Sequence, residues 1–272
     1  MEGAIMPALA KQERVKAQLN KLQYADRPAH EWYRFVLSFP PHLVRTYLQQ
    51  FGITRKHTVL DPFCGTGTTL VECKKLGIPS IGLEANPMAA FASKIKTDWS
   101  PNGRTLLSSA NTIAERAIEQ LSTEGIDDEI LPLLQTQAPK NGSAGSLRQL
   151  SSESQKLLLT NSISPLPLHK ALVLLDSIND QKPNSYRGHQ LLALASSLVF
   201  DVSNLHFGPE VGVGKIRRDA AVVSSWLSRI EMMAKDLEEL KGAAVVPAEV
   251  HEADSRRAGE ILAPKSVDMV IT

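Results

Sequence analysis

Residues 58–69 read TVLDPFCGTGTT, in which a short apolar and β-branched run ends in Asp61 and passes into a turn with two glycines. Residues 70–76 return to helical spacing, and Gly77 is placed to end that helix. A short run of this kind, bounded by turn residues, is typical of a buried parallel strand. The segment therefore predicts a strand, a glycine turn and a helix, in that order.

The same order is repeated immediately downstream. A second apolar run at residues 78–83 ends in the acidic Glu84, and Asn86 followed by Pro87 is a good start for a helix over residues 88–95. Strands that alternate with helices predict an α/β protein with a doubly wound, parallel sheet.

The composition is that of a globular protein. The 272 residues carry 30 Lys plus Arg against 29 Asp plus Glu, and 43% are hydrophobic, which excludes disordered, collagen-like and strongly polycationic chains. There is no apolar stretch of about 18 residues and no basic start followed by an apolar run, so we expect a cytoplasmic protein without membrane segments. Cys64, Cys73 and the scattered histidines lack disulfide or metal-ligand spacing, so we predict no metal site.

The pattern changes after residue 100, because helical signals dominate up to about residue 242. Strand signals return at residues 244–251 and 267–272, with a short helix at 258–262 between them. Residues 135–154 and 207–214 are expected to be a mobile loop and an irregular segment. The predicted helices lie at residues 8–22, 42–51, 105–121, 167–178, 188–200 and 219–240.

A glycine turn after a strand leaves backbone N–H groups free at a helix N-terminus, where they suit a phosphate or a carboxylate. A dinucleotide fingerprint requires a third glycine where this chain has Leu70. A nucleoside-triphosphate loop requires a lysine after the second glycine, but Thr68 and Thr69 follow Gly67. Both ligand classes are therefore disfavoured.

S-adenosylmethionine fits the turn better, because its amino group wants a carboxylate and its own carboxylate wants N–H and hydroxyl donors. Asp61 and the pair Thr68-Thr69 supply these groups. Glu84, about 20 residues after the first glycine, is placed to accept the ribose hydroxyls, and Asp254, after the third strand, to accept the adenine amino group. The alternatives stay open: Glu84 and Asp254 are also ordinary caps, and Cys64 is also an ordinary packing residue.

Residues 61–69, DPFCGTGTT, resemble the cofactor motif of the amino-group DNA methyltransferases, which modify N4 of cytosine or N6 of adenine. Residues 32–35 and 38–44, WYRF and SFPPHLV, are similar to the aromatic and proline segment that precedes the cofactor strand in that family. The resemblance covers about residues 32–87 and 245–272. It implies S-adenosylmethionine as the cofactor. The cofactor-binding residues expected from it are Phe39, Asp61, Pro62, Phe63, Cys64, Gly65, Gly67, Thr68, Thr69, Glu84 and Asp254.

The resemblance also implies an architecture: an α/β fold with a Rossmann-like methyltransferase sheet, of which this chain holds the first four strands, and a large helical insertion between strands 2 and 3. Four parts are expected, which are N-terminal helices with a cofactor-closing segment (1–57), a cofactor-binding βαβα unit (58–99), the helical insertion (100–242) and the third and fourth strands (243–272). In the family the fourth strand lies inside a seven-stranded sheet; here we expect it at an exposed edge.

The family's catalytic motif, Asp/Asn/Ser-Pro-Pro-aromatic, follows the fourth strand, and no segment of residues 1–272 matches it. We therefore expect it immediately after Thr272 and assign no catalytic residue, so that the chain alone would be an inactive N-terminal portion. A C-terminal half or a second subunit would complete it. That motif polarises the amino nitrogen of a flipped base and holds it in line for methyl transfer.

The resemblance implies duplex DNA with a flipped base as the substrate, and a place in a restriction-modification system. Lys215, Arg217 and Arg218 form a basic cluster that could contact phosphates, although such a cluster is also typical of a solvated surface. Two alternatives stay open: an RNA N-methyltransferase of related fold, and a non-catalytic protein that binds S-adenosylmethionine as a sensor or partner subunit.

Overall fold

The structure is a computed structural model that describes residues 22–34, 38–128, 147–207, 210–242 and 246–272. The predicted helix at residues 8–22 lies almost wholly outside them. The chain divides into two compact units. The first contains the described residues up to Trp99 together with Glu239–Thr272, and the second contains those of Ser100–Glu238.

The elements alternate at both ends of the chain and are mostly helical between. The described strands are β1 (Val59–Asp61), β2 (Ser80–Glu84), β3 (Leu205–Phe207), β4 (Val211–Val213), β5 (Ala248–Glu252) and β6 (Met269–Val270). The described helices are α1 (Pro41–Gln50), α2 (Thr68–Leu76), α3 (Pro87–Thr97), α4 (Gly103–Thr123), α5 (Ser152–Lys156), α6 (Pro165–Asn179), α7 (Arg187–Ser197), α8 (Val222–Leu240) and α9 (Ala258–Ile261). Shorter helical turns lie at Tyr24–Asp26, Arg27–His30, Leu198–Val202 and Ser255–Arg257.

The first unit is built on a parallel sheet in the order β5, β2, β1, β6. Val59 of β1 is aligned with Ser80 of β2 on one side and with Met269 of β6 on the other. Ser80 is aligned in turn with Ala248 of β5. Helices connect the strands, so the predicted α/β class is confirmed, and the arrangement is compatible with a Rossmann-like methyltransferase sheet.

Local sequence sets the helix ends in this unit. α1 begins at Pro41, and Gly52 follows it with a φ of +63°, a value that favours glycine. α2 ends at Gly77 in the left-handed region, as predicted, but it begins at Thr68, two residues earlier than the apolar spacing indicated. α3 begins at Pro87, and the Asn86 side chain accepts hydrogen bonds from the backbone N–H groups of its first turn.

The core of the first unit lies against the sheet. Side chains of α1, β1 and α2 pack together there, with partly buried residues of β6 and the chain beside it against them. Cys73 is fully buried in this cluster, and burial raises the pKa of its thiol to about 12, so it is a packing residue. The buried members are Val44, Leu48, Val59, Cys73 and Ile78.

The second unit is helical and hydrogen-bonded within itself. Asp128 caps α8, because its carboxylate accepts from the backbone N–H groups of Val222, Val223 and Ser224 at 2.8, 3.1 and 2.9 Å. Trp226 is fully buried and donates its indole N–H to the carbonyl of Gln190 at 2.9 Å. The apolar stripe of α8 is therefore core. Within the described residues, no helix is both long and apolar enough to cross a membrane.

Two predictions for this unit were wrong in part. Residues 207–214 were expected to be irregular, but β3 and β4 pair antiparallel, with Leu205 opposite Val213. Three-residue strands interrupted by glycine and proline leave too little alternation to be read from sequence. Residues 152–154, at the end of the predicted mobile loop, belong to α5, which Ser151 caps. The part of that loop up to residue 146 lies outside the described residues.

The two C-terminal strands were predicted correctly in place but not in length. β5 covers Ala248–Glu252 where residues 244–251 were expected, and β6 covers two residues where 267–272 were expected. Among the described strands, β6 pairs only with β1, so it lies at an edge of the sheet.

Candidate functional site

The loop after β1 is closed by the aspartate that ends the strand. The Asp61 carboxylate accepts from the backbone N–H of Phe63 at 3.1 Å and from the Thr69 hydroxyl at 2.5 Å. Its side chain is almost fully buried, and burial raises the pKa of this carboxyl above its ordinary value. Both groups were predicted to hold the cofactor. The structure places them inside the loop, where they bond to one another.

The two glycines of the loop both have positive φ but differ in their surroundings. At Gly67, φ is +84° and a Cβ atom would lie 2.4 Å from the Ser93 Oγ of α3. At Gly65, φ is +51° and a Cβ atom would meet nothing within 4 Å. Gly67 therefore allows the loop to pack on α3, while Gly65 leaves open space beside the backbone, where a ligand could approach.

Cys64 lies on the inner side of the loop. Its backbone N–H donates to the carbonyl of Leu83 at 3.0 Å, and its side chain is buried beside Ser93 and Gly82. A Cβ on Gly82 would lie 2.7 Å from the Cys64 Sγ. Burial raises the pKa of this thiol to about 12, which keeps it protonated and unreactive. Cys64 can thus contribute to a ligand site only through its backbone.

Glu84, at the end of β2, bridges the glycine loop to α3. One carboxylate oxygen accepts from the backbone N–H of Gly65 at 2.9 Å, and the other accepts from that of Asn86 at 2.7 Å. Each carboxylate oxygen has a second acceptor site, and the side chain is only partly buried. Glu84 is thus held in a fixed position while keeping capacity to accept hydrogen bonds from a ligand.

Asp254 follows β5 at the same edge of the sheet, where the backbone N–H of Ala253 donates to the carbonyl of Glu84 at 2.9 Å. Its carboxylate accepts from the backbone N–H of Arg256 at 2.9 Å and pairs with the Arg256 guanidinium. These bonds lower the pKa of Asp254 to about 2. The side chain caps the following turn, as the alternative interpretation of the sequence had it, and it is open to solvent.

The carboxyl ends of β5, β2 and β1 thus carry Asp254, Glu84 and Asp61 along one edge of the sheet. The glycine loop follows β1 and is hydrogen-bonded to the end of β2. This is the edge at which open α/β sheets bind their ligands. The aromatic residues predicted for the site lie at the surface: Phe63 is 65% exposed and Phe39 36% exposed. Pro62, between Asp61 and Phe63, is partly buried.

A small pocket opens beside the glycine loop. Its lining includes Thr66 and Thr68 of the loop and α2, Arg34 and Phe39 of the segment before α1, and Lys96 of α3. Sequence analysis missed Lys96. Its position on the buried face follows from its spacing of three, four and seven residues from Ser93, Ala92 and Ala89, so helical periodicity could have found it.

His30, which also lines the pocket, belongs to a largely buried charge network. The Glu72 carboxylate of α2 accepts from the His30 Nε2 at 2.7 Å and pairs with the Arg45 guanidinium at 2.5 Å. Arg45 also pairs with Asp26 at 2.9 Å. Burial lowers the pKa of His30 to about 4, so the ring is neutral near pH 7 and donates from Nε2. The network joins α1 and α2 to the segment before them.

The predicted nucleic-acid contacts belong to the helical unit. Lys215, Arg217 and Arg218 are exposed after β4. The backbone N–H of Arg217 donates to the Asn204 side chain at 2.7 Å, and its guanidinium donates to the carbonyl of Asp201. Arg217 therefore anchors the hairpin to the turn before it, while Lys215 and Arg218 make no hydrogen bond or ion pair with the described residues.

Comparison with known proteins shows what the segment around the glycine loop is similar to. Over residues 11–94 the sequence matches the family described as DNA methylase. That segment contains the glycine loop, Glu84 and the part of α3 that precedes Lys96. The match covers less than a third of the chain, and over that segment the chain is similar to the DNA methylase family. The predicted resemblance to the amino-group methyltransferases is thereby confirmed for this segment.

Relatives named as type II methyltransferases match part of the chain at moderate identity. The type II methyltransferase M.BsoBI of Geobacillus stearothermophilus is 39% identical over 83 residues, which is 30% of this chain and 16% of the relative. M.MjaII of Methanocaldococcus jannaschii is 39% identical over 59 residues, which is 21% of this chain and 11% of the relative. M.AvaI of Nostoc sp. is 31% identical over 74 residues, 27% of this chain and 14% of the relative.

The chain therefore covers less than a fifth of the length of the curated relatives that it matches. No solved structure matches the chain significantly.

Proposed function

We propose that the first unit binds S-adenosylmethionine at the carboxyl edge of its sheet, as the cofactor site of a DNA methyltransferase that acts on N4 of cytosine or N6 of adenine. One observation carries this proposal: the open space beside Gly65 lies next to the Glu84 carboxylate, which the N–H groups of Gly65 and Asn86 hold in place. The family of residues 11–94 and the relatives named as type II methyltransferases support it.

The residues present fit this cofactor. Gly65 leaves the space into which a ligand can come against the loop backbone. Glu84 can accept from two ribose hydroxyls, and Asp254 can accept from an amino group once Arg256 turns aside. The N-terminus of α2 and the hydroxyls of the loop favour the amino-acid end of the molecule, since a helix N-terminus attracts a carboxylate.

In this proposal Asp61 and Thr69 position the loop rather than touch the cofactor. Their mutual hydrogen bond fixes the turn, so that its backbone N–H groups face one way before the ligand arrives. S-adenosylmethionine supplies an electrophilic methyl group on a sulfonium. The chain's own residues bind and orient it, and the exposed Phe39 and Phe63 can exclude water from it by packing against it.

The proposal for the substrate extends the names of the relatives to this chain. A DNA amino group is the acceptor, and the basic residues Lys215 and Arg218 of the helical unit are proposed to contact phosphates. Tritiated S-adenosylmethionine should label duplex DNA, with the label recovered as N4-methylcytosine or N6-methyladenine. Label recovered in transfer RNA and not in DNA would contradict this assignment.

Cofactor binding is tested by isothermal titration calorimetry of the folded protein with S-adenosylmethionine and S-adenosylhomocysteine. Both should bind, while NAD and ATP should not. Glu84→Gln should weaken binding about 10-fold, because a charge-assisted acceptor for the ribose is lost. The matched control is Glu119→Gln on the exposed face of α4, which should leave binding unchanged. Folded wild-type protein that binds neither compound would overturn the proposal.

A further inference from the structure

The pocket beside the glycine loop has a buried lysine in its lining. Lys96 is 1% exposed, and its ammonium donates to the carbonyl of Tyr33 at 3.2 Å. No carboxylate lies within ion-pair distance of it among the described residues, so two of its three N–H donors have no acceptor there. A buried ammonium without a counter-ion is costly, so an anion beside it would be stabilising.

The other described groups around the pocket also favour an anion. Arg34 lines it with a guanidinium that makes no ion pair with the described residues, and the hydroxyls of Thr66 and Thr68 make no hydrogen bond with them. The pocket adjoins the first turn of α2, whose backbone N–H groups favour negative charge. None of the described residues that line it is acidic.

We propose that Lys96, assisted by Arg34, is the ionic partner of the carboxylate of the methyl donor, and that this pair selects the amino-acid end of the ligand. The inference rests on the proposed cofactor function, which it deepens by assigning a specificity-determining residue.

Charged and titratable neighbours set how Lys96 responds to pH. Burial, together with the positive charges of Arg34 and Lys75, lowers the pKa of Lys96 to about 7. The neighbouring Cys64 thiol is uncharged at that pH, because its own pKa is about 12. His30 also lines the pocket but stays neutral, because burial lowers its pKa to about 4. The phenol of Tyr33 has a pKa raised by burial and stays protonated. Lys96 is therefore the group among these that titrates near pH 7.

A bound carboxylate raises the pKa of Lys96, since it stabilises the charged form. The ligand is then bound most tightly at pH values below the pKa that Lys96 has in the free protein. Its affinity falls as pH rises above about 7. Binding at about pH 8 should take up close to one proton, which comes from the buffer. Calorimetry in two buffers of different ionisation enthalpy measures that proton directly.

The decisive comparison uses two ligands and two variants. S-adenosylmethionine carries the carboxylate, and decarboxylated S-adenosylmethionine lacks it while keeping the methyl sulfonium. Wild-type protein should prefer the carboxylate-bearing ligand about 10- to 100-fold. Lys96→Met, which keeps the apolar stem and removes the charge, should abolish this preference and the proton uptake while leaving the affinity for the decarboxylated ligand unchanged.

Lys94→Met is the matched control, because Lys94 is exposed on the same helix and its substitution removes the same charge. It should change neither the preference nor the proton uptake. Arg34→Gln, at a partly exposed position that carries little risk to folding, should reduce the preference by a smaller factor and provides a second test if Lys96→Met does not fold.

The outcomes separate the two proposals. If wild-type protein binds neither ligand, the proposed function fails. If it binds both equally, or if Lys96→Met weakens both by the same factor, the cofactor site stands and the assignment of Lys96 is overturned.

Discussion

The hydroxyl of Thr69, in the first turn of α2, donates to the carboxylate of Asp61 at the end of β1 with an oxygen-to-oxygen distance of 2.5 Å. This bond spans the whole glycine loop and ties its two ends together. Because both side chains are buried, the bond is not exchanged readily for water. The shape of the loop is therefore set before any ligand binds.

Thr69→Val should destabilise the protein, because the buried Asp61 carboxylate loses a donor while the volume at position 69 is kept. We expect a loss of about 1–3 kcal/mol in the free energy of unfolding, measured by chemical denaturation. Thr68→Val is the control, since the Thr68 hydroxyl makes no hydrogen bond with the described residues and its loss should cost about 0.5 kcal/mol or less. Equal effects of the two substitutions would contradict the role given to this bond.

His30 should make the stability of the protein depend on pH. Its pKa is lowered by burial to about 4 from 6.5, so the unfolded chain binds the proton more readily than the folded one. The contribution of neutral His30 to the free energy of unfolding is then fully present above pH 6.5. As pH falls below that value, the free energy of unfolding decreases by about 1 kcal/mol per pH unit. The pKa of Glu72, lowered by its bonds to His30 and Arg45 despite its burial, affects stability only below about its ordinary value of 4.5.

His30→Gln tests this window, because the amide can still donate to Glu72 but does not titrate. Stability measured between pH 6.5 and about 4.5 should become nearly flat in this variant. His42→Gln, at a partly exposed position of α1, should keep the wild-type slope. A slope that survives in His30→Gln would assign the acid sensitivity to other groups.

Gly67→Ala and Gly65→Ala should separate folding from binding. At Gly67 the added methyl group meets the Ser93 hydroxyl, so we expect a loss of several kcal/mol or failure to fold. At Gly65 the methyl group meets open space, and only the strain of a positive φ is added, about 1–2 kcal/mol. The Gly65→Ala protein should fold but bind S-adenosylhomocysteine weakly, as measured by calorimetry, because the methyl group occupies the space proposed for the ligand.

Wild-type affinity in folded Gly65→Ala protein would show that the ligand does not approach the loop at that point. A Gly67→Ala protein as stable as the wild type would show that α3 yields easily at Ser93.

The fold of the first unit could be predicted because its signals are local. Glycines that end a helix, an asparagine that caps one and an apolar run between turns each act within a few residues, so β1, α2, β2 and α3 were placed almost correctly. The β3–β4 hairpin was missed because it depends on the pairing of its two strands and on Asn204. Asn204 precedes the hairpin and accepts hydrogen bonds, through its carbonyl and its side chain, from residues that follow it.

The site could be predicted as a segment but not in the orientation of its side chains. The motif identified residues 61–69, yet sequence does not reveal that the Asp61 and Thr69 side chains turn inward to one another. Lys96 was overlooked for the opposite reason. A lysine on a helix is usually at the surface, and only its spacing from Ala89 and Ala92 shows that it lies on the buried face.

Lys215 and Arg218 should contribute to DNA affinity if they contact phosphates, since each contact releases counterions. Both are exposed and unpaired among the described residues, and neither anchors the hairpin as Arg217 does. Replacing both by alanine should weaken binding to duplex DNA and reduce the slope of log affinity against log salt by about 2. Arg104→Ala with Lys182→Ala, two exposed positions of the same unit, removes the same charge and should leave the slope nearly unchanged. Equal slopes for the two double variants and the wild type would mean that the cluster is an ordinary solvated surface, in agreement with the alternative interpretation of the sequence.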